Sequence, residues 1–241
     1  MVNRFRRFIR NGFNLPKLFQ AIAGQCILCA APGQKGLDLC QQCELDLPLL
    51  ASCCQQCALP LPDDDSSCGR CLVDPPPYRY TQAPWLYQPP VAQLISRFKY
   101  NRQYSIGRVL STMAASKYVS AYSGCDLPDI IVPIPLHWQR HITRGFNQSE
   151  HLARYYAGHL DIPMQRVLKR CKSTTAQQTL NAEQRRRNLK GAFKVIGDVC
   201  GKRVVVVDDV MTTGTTVGEA SRCLLKAGAS EVHVWCLART E

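Results

Sequence analysis

From Asp129 onward the chain alternates short apolar runs with stretches of amphipathic spacing. Ile130–Pro135, Met164–Lys169, Val204–Val207 and Val232–Leu237 have the length and composition of strands. Ser149–Leu160 and Val217–Ala227 carry the three-to-four-residue spacing of helices. The four consecutive valines of Val204–Val207 suit a strand buried on both faces of a parallel sheet. Alternation of this kind predicts an α/β fold, a parallel sheet with flanking helices, whose ligands bind at the carboxyl ends of the strands. Upstream, Val91–Phe98 and Ile106–Tyr118 read as two helices, and the proline-rich residues 75–90 read as a linker into a domain spanning 91–241. Near the N-terminus Leu15, Leu18, Phe19 and Ile22 follow helical spacing, so residues 1–24 are expected to form a basic segment with a short amphipathic helix. Cys171–Leu180 has no periodicity, and Asn181 with Gln184 resembles the start of a helix that Gly191 ends.

Residues 25–74 follow a different rule. Nine of the fourteen cysteines lie between Cys26 and Cys71, and eight repeat one pattern with a period of 28 residues. The pattern is Cys26-x-x-Cys29 with Cys40-x-x-Cys43, then Cys54-x-x-Cys57 with Cys68-x-x-Cys71. A CxxC turn presents two thiolates to one ion, and a hairpin returns a second pair to complete a tetrahedron. Two structural Zn²⁺ sites in a small double zinc ribbon are therefore expected, with no catalysis assigned to them. An interleaved assignment, pairing 26/29 with 54/57, stays open. Disulfides are the rival, but they need an oxidising compartment. The arginine-rich N-terminus makes a poor signal peptide, because Asn14, Pro16, Lys17 and Gln20 interrupt its apolar stretch.

Charge sorts with these regions. The formal net charge is +12, of which residues 1–24 contribute +5, residues 25–75 contribute −5 and residues 76–241 contribute +12. Four thiolates around each Zn²⁺ would make the ribbon more negative still, so nucleic acid is expected on the large domain. No stretch approaches the roughly 20 apolar residues that span a bilayer, which points to a cytoplasmic protein with no transmembrane segment, a peripheral place at the inner membrane being the lesser alternative.

The chemistry concentrates at Val204–Thr216, which reads VVVVDDVMTTGTT. Asp208 and Asp209 are expected to end the strand, and the Thr212-Thr213-Gly214-Thr215 turn opens a helix. Backbone N–H groups at such a turn hold phosphate, and threonine hydroxyls add donors. Adjacent carboxylates repel phosphate but accept hydrogen bonds from sugar hydroxyls, so the pattern implies a sugar phosphate. Neither GxxxxGK[ST] nor a GxGxxG fingerprint is present. The run resembles the phosphoribosyl pyrophosphate (PRPP) loop of type I phosphoribosyltransferases. That resemblance implies that Asp208 and Asp209 meet the ribose hydroxyls, that Met211, Thr212, Thr213, Gly214 and Thr215 wrap the 5′-phosphate, and that Mg²⁺ accompanies PRPP.

Other segments supply further candidates. Pro135, Leu136 and His137, followed by Arg140, His141 and Arg144, form a proline-fixed turn with arginines beyond it, suited to a diphosphate. Arg166–Lys194 holds nine basic residues and one acidic, and its middle reads as a basic loop able to close over a ligand. Between the first two helices Arg97, Lys99, Tyr100, Arg102 and Tyr104 interleave cations with aromatics, the composition for stacking the bases of single-stranded DNA.

Asp129-Ile-Ile-Val-Pro-Ile-Pro-Leu-His137, Arg144-Gly-Phe-Asn-Gln-Ser-Glu150, the Gln177…Leu180…Arg185…Asn188 pattern and Val207–Thr215, together with the cysteine repeat, resemble the competence protein F (ComF/GntX-type) family over residues 25 to 240. The resemblance implies a type I phosphoribosyltransferase fold behind a double zinc ribbon, and a role in natural competence or the use of external DNA. Three functions follow from it. The first is a PRPP-binding protein that handles incoming single-stranded DNA. The second is an active phosphoribosyltransferase of unknown acceptor. The third is a zinc-ribbon adaptor for a DNA-uptake helicase or an inner-membrane transport protein.

Overall fold

The structure, a computed structural model, describes residues 24–62, 67–122, 126–136, 145–171 and 189–241. The helix expected at Leu15–Ile22, the cap at Asn181, and the candidates His137, Arg140, His141, Arg144, Gln177, Arg185 and Asn188 lie outside the described residues. The chain divides into two compact units, Met1–Leu47 and Pro48–Glu241.

The cysteine repeat is a repeat of backbone as well as of spacing. In the first unit the Ala30 N–H donates to the Cys26 carbonyl at 2.9 Å, and Gln25 bridges Pro32. In the second unit the Ala58 N–H donates to the Cys54 carbonyl at 2.7 Å, and Cys53 bridges Pro60. Ala30 and Ala58 both take left-handed backbone, with φ of 61° and 53°, which turns each chain tightly enough to bring its two thiols together. A one-turn helix follows the third cysteine of each copy: α1 (Gln41–Leu45) after Cys40 and α2 (Gly69–Val73) after Cys68.

The second unit is built on a five-stranded parallel sheet of β1 (Thr81–Gln82), β2 (Trp85–Leu86), β3 (Ile130–Pro133), β6 (Arg203–Met211) and β7 (Glu231–Arg239). The order is β1–β7–β6–β3, with β2 also pairing β7, while β4 (Leu168–Arg170) and β5 (Phe193–Val195) form a separate antiparallel pair. Residues 75–90, expected as a linker, thus carry the two short strands that line one edge of the sheet, β3 forming the other edge. Pro84 sits in the break between β1 and β2, where no ladder N–H is required. The run expected as one strand over Met164–Lys169 is also divided, because Met164 bridges Ile131 whereas Leu168–Arg170 pairs with β5.

The period of two along β6 sorts its valines between two cores. Val204 and Val206 pack with Ile130, Val132, Val232 and Val234 and with Val217, Ala220 and Leu224 of α6 (Thr215–Lys226). On the opposite face the sheet meets α4 (Tyr104–Ala121) and α5 (Gln148–Leu160), and α3 (Val91–Asn101) packs on α4. There Tyr118 stacks on Trp235 at 4.7 Å between ring centroids, and Tyr156 meets Trp235 edge-on at 5.9 Å. Fully burying side chains of this size contributes roughly 1.5–3 kcal/mol each, which is why the valine run and Trp235 anchor the sheet.

Candidate functional site

The site is created by a mismatch in strand length. β3 stops at Pro133, which pairs with Val207, whereas β6 continues beside β7 through Asp208↔Cys236, Val210↔Ala238 and Met211↔Arg239. Asp208 and Asp209 therefore lie inside the strand and do not end it, contrary to the expectation from sequence. The equally long β7 keeps their backbone paired, and the early end of β3 leaves the β6 edge open at the carboxylates. The N-terminus of α5 fills part of that opening. Asn147 caps α5 by accepting the Ser149 N–H at 3.1 Å and donates Nδ2–H to the Ile134 carbonyl at 3.0 Å. This cap fixes Ser149, whose hydroxyl donates to Asp208 Oδ1 at 2.9 Å.

The two carboxylates have different partners. Asp208 Oδ1 also accepts the Asp209 N–H at 2.9 Å. Dense surrounding protein and then the charge of Asp209 push the Asp208 carboxyl up to about 6, against the pull of the Ser149 hydroxyl and the Asp209 N–H. Asp209 forms an ion pair with Lys99, Nζ to Oδ1 at 2.9 Å, and both side chains are largely shielded from water. Burial works against the Lys99 ammonium, but Asp209 and then Asp208 hold it above its ordinary value. Lys99, expected on a DNA-binding surface, is thus directed inward. The β6 carboxylates need a counter-charge, and α3 delivers it.

Beyond Met211, which is buried, the chain turns through Thr212 and Thr213 to Gly214 at φ 74° and enters α6 at Thr215. The Thr213 and Thr215 hydroxyls lie 2.7 Å apart. Gly214 is required twice. Its backbone is left-handed, and a Cβ there would fall 2.8 Å from Met211 Cε and 2.9 Å from the Tyr78 hydroxyl. The first N–H groups of α6 have no helical acceptor, so a donor-lined turn stands one step past the carboxylates. Pro135 and Leu136, half-buried, follow Ile134 just beyond the end of β3.

The interleaved run divides by helix face. Phe98 is buried and meets Phe146 edge-on at 5.4 Å, while Tyr100 is 59% exposed. Arg97 is exposed and donates Nε–H to Gln103 at 2.9 Å. Arg102 ends α3 in left-handed backbone with its guanidinium over Gly145. Tyr104, 47% exposed, stacks on His151 at 5.3 Å and stands edge-on to Phe146 at 5.2 Å. Arg97, Tyr100, Arg102 and Tyr104 remain on the surface.

Each tetracysteine group closes on itself in tandem, not interleaved: Cys26, Cys29, Cys40 and Cys43 in one, Cys54, Cys57, Cys68 and Cys71 in the other, with the four sulfurs of each within 4.8 Å of one another. Cys29–Cys40 and Cys57–Cys68 are separated by 3.7 Å between sulfurs. Tetrahedral Zn–S bonds of about 2.3 Å place sulfurs about 3.8 Å apart, whereas a disulfide needs about 2.05 Å, so both groups fit Zn²⁺. Thiol acidity agrees. Burial opposes the Cys54 thiolate, yet backbone groups of Cys57, Cys68 and Gln56 bring it down to about 7. Burial and then the Cys57 and Cys68 sulfurs drive Cys71 far up. Four such thiols ionise together only around a cation.

Sequence reasoning did not single out Ser149, although it lies in the Arg144–Glu150 motif, nor Tyr78 and Arg239, for which no local pattern exists.

A five-stranded parallel sheet, a carboxylate pair and a donor-lined turn at its carboxyl edge, and two four-thiolate groups define a phosphoribosyltransferase-type domain behind a double zinc ribbon. Family models agree, with the phosphoribosyl transferase domain matching residues 146–241 and the double zinc ribbon domain matching residues 21–72. The chain is 39% identical over 220 residues to DNA utilization protein YhgH of Escherichia coli O157:H7, covering 90% of this chain and 91% of that protein. It is 40% identical over 159 residues to competence protein F of Haemophilus influenzae, covering 64% of this chain and 69% of that protein. It therefore belongs to the DNA utilization protein YhgH and competence protein F family. Among solved structures it is similar to the glutamine PRPP amidotransferase from B. subtilis, at 26% identity and a TM-score of 0.37, covering 54% of this chain and 25% of that longer one.

Proposed function

We propose that this protein binds PRPP, with Mg²⁺, and handles single-stranded DNA entering the cytoplasm in DNA uptake or utilisation. The carrying observation is the placement of Asp208 and Asp209 at the open β6 edge, immediately before the Thr212–Thr215 turn. In this reading the two carboxylates accept hydrogen bonds from the ribose hydroxyls. The turn and the start of α6 hold the 5′-phosphate through N–H and threonine donors. Lys99 holds the Asp209 carboxylate in place through its ion pair until a sugar hydroxyl arrives. The Pro135–Leu136 turn, with His137, Arg140 and Arg144, receives the diphosphate, and the Gln177–Asn188 segment closes over it. Mg²⁺ would neutralise the diphosphate. Calorimetry on the Asp208→Ala/Asp209→Ala protein tests this: PRPP affinity falls while inorganic phosphate binding stays nearly intact. Equal PRPP affinity in both proteins sinks the assignment.

The names of the relatives and the +12 charge of residues 76–241 support DNA as the partner. The exposed Arg97, Tyr100, Arg102 and Tyr104 face supplies two cations and two stacking surfaces. Replacing either tyrosine with alanine should weaken oligonucleotide binding by about 1–3 kcal/mol. The two arginines together should contribute about −1.4 to the log–log salt slope. Binding that is unaffected by salt and by both tyrosine variants refutes this part.

A second reading has its own observation. Leu72 and Val73 at the end of α2 are 72% and 87% exposed, an apolar pair that suits an adaptor for a helicase or transport protein. Diphosphate release from PRPP on addition of a nucleobase would instead favour an active phosphoribosyltransferase.

A further inference from the structure

The second tetracysteine group belongs to the same packed core as the candidate phosphate turn. Cys54, Cys57, Cys68 and Cys71 are all buried, and their cluster includes Tyr78, Met211 and Val217. Two side chains make the connection specific. Arg239, 4% exposed at the end of β7, donates Nε–H to the Cys57 carbonyl at 2.9 Å, inside the CxxC turn. The same guanidinium donates to the Met211 carbonyl at 3.3 Å, the last residue of β6 before the turn. Tyr78, also 4% exposed, places its hydroxyl against Gly214 and its ring against Gly218, the two glycines that flank the start of α6. The CxxC turn is further tied to the sheet by the Thr81 N–H donating to the Gln55 carbonyl at 3.2 Å.

We propose that Tyr78 and Arg239 are positioning residues through which the Cys54/Cys57/Cys68/Cys71 site holds the Met211–Thr215 turn in its phosphate-binding shape, so that loading of this site, and not of the first, governs ligand binding. Only the identity of the ligand rests on the PRPP reading; the mechanical link does not. A rigid metal centre fixes the Cys57 carbonyl, and Arg239, clamped to it, fixes the Met211 carbonyl. Tyr78 meanwhile fills the space over Gly214 that the turn would otherwise collapse into.

The test uses the full chain and three readouts: metal per chain, amide hydrogen exchange in peptides covering residues 211–218, and calorimetry with PRPP. Cys68→Ser should lose about one metal and accelerate exchange at 211–218 about tenfold or more. Cys40→Ser should lose one metal and leave exchange there unchanged. Since Cys68→Ser can unfold the core as a whole, Arg239→Met and Tyr78→Ala are measured with both metals retained. Each should speed exchange at 211–218 several-fold while β3 and α4 stay protected, and Tyr78→Phe, which keeps the ring, should restore slow exchange. PRPP affinity should fall about tenfold in Arg239→Met and be unchanged in Cys40→Ser. Unchanged exchange at 211–218 in Arg239→Met and Tyr78→Ala, or equal effects of Cys40→Ser and Cys68→Ser, overturns the proposal. If the native protein fails to bind PRPP while the exchange pattern holds, the ligand assignment fails and the link stands.

Discussion

The two tetracysteine groups share spacing, turn geometry and left-handed alanine, yet they stand in different surroundings. In the first, Cys26 is buried, Cys40 and Cys43 are half-buried and Cys29 is exposed. In the second, all four are buried in the core of the large unit. The turn is set by a dozen residues of local sequence, but what the metal supports depends on what packs around it. The first unit spans only Met1–Leu47, a size at which a hydrophobic core rarely suffices without a metal or disulfides, so its structure depends on its metal. The second group shares its burden with the sheet and in return stiffens it.

The largest test of this contrast is to remove one metal at a time. Cys54→Ser should lower the midpoint of cooperative unfolding of the large unit by more than about 10 °C, since structural zinc contributes many kcal/mol to folding. Cys26→Ser should leave that midpoint unchanged and lose only its own metal. Calorimetric scans with metal analysis decide it, and equal midpoint shifts would erase the contrast.

Next in size is the ion pair that the same large unit encloses. Asp209→Leu strands the Lys99 ammonium in protein and should cost about 3–5 kcal/mol, most of it recovered when Lys99→Met is added. Urea titration of the single and double variants provides the measure. A cost below about 1 kcal/mol would show that water reaches Lys99 freely, as at an exposed surface pair.

Asp208 should have a smaller effect of opposite sign. Its folded value of about 6 lies above the unfolded value of about 3.9. The stabilising contribution is complete below the unfolded value and is lost as pH rises through about 6. At pH 7.5 the ionised carboxyl is thus a cost, and Asp208→Asn should raise the midpoint by roughly 2–4 °C. The gain should vanish at pH 4. A gain that persists at pH 4 would point to packing rather than charge. Sugar binding through the ionised form should correspondingly strengthen as pH rises through about 6.

The smallest effects return to the two copies. Ala30→Gly and Ala58→Gly each relieve left-handed strain of about 1–2 kcal/mol, offset by glycine's added chain entropy of about 0.5–1 kcal/mol. Ala58→Gly should raise the unfolding midpoint of the large unit by a degree or two. Ala30→Gly should act only on metal retention by the first site, read by chelator competition. Identical responses at both positions would mean that surroundings matter less than the turn itself.

Local patterns were readable in advance where one short segment carries the whole physical requirement. Each CxxC pair makes its own turn, the valine run can be stable only as a buried strand, and Thr212–Thr215 with Gly214 makes its own donor turn. The parallel sheet with flanking helices followed from alternation, but β1 and β2 did not, because prolines that look like a linker are also tolerated on an edge strand. Lys99 looked like one cation among several in an interleaved run. Only its place on the inner face of α3 takes it to Asp209, and no periodicity reveals a partner 110 residues away.

Local sequence carried the cysteine repeat, the α/β class and the residue types of the carboxylate-and-threonine loop, since these depend on residues within a few positions of one another. Folding in three dimensions settled that all four cysteines of the second group are buried, whereas Cys29 of the first is exposed. It also decided that β6 runs on through Asp208 and Asp209, that Ser149 and Lys99 attend those carboxylates, and that Arg239 joins the Cys57 and Met211 carbonyls. Those outcomes depend on which strand ends first and which helix face turns inward, and the chain settles both only by closing distant segments against one another.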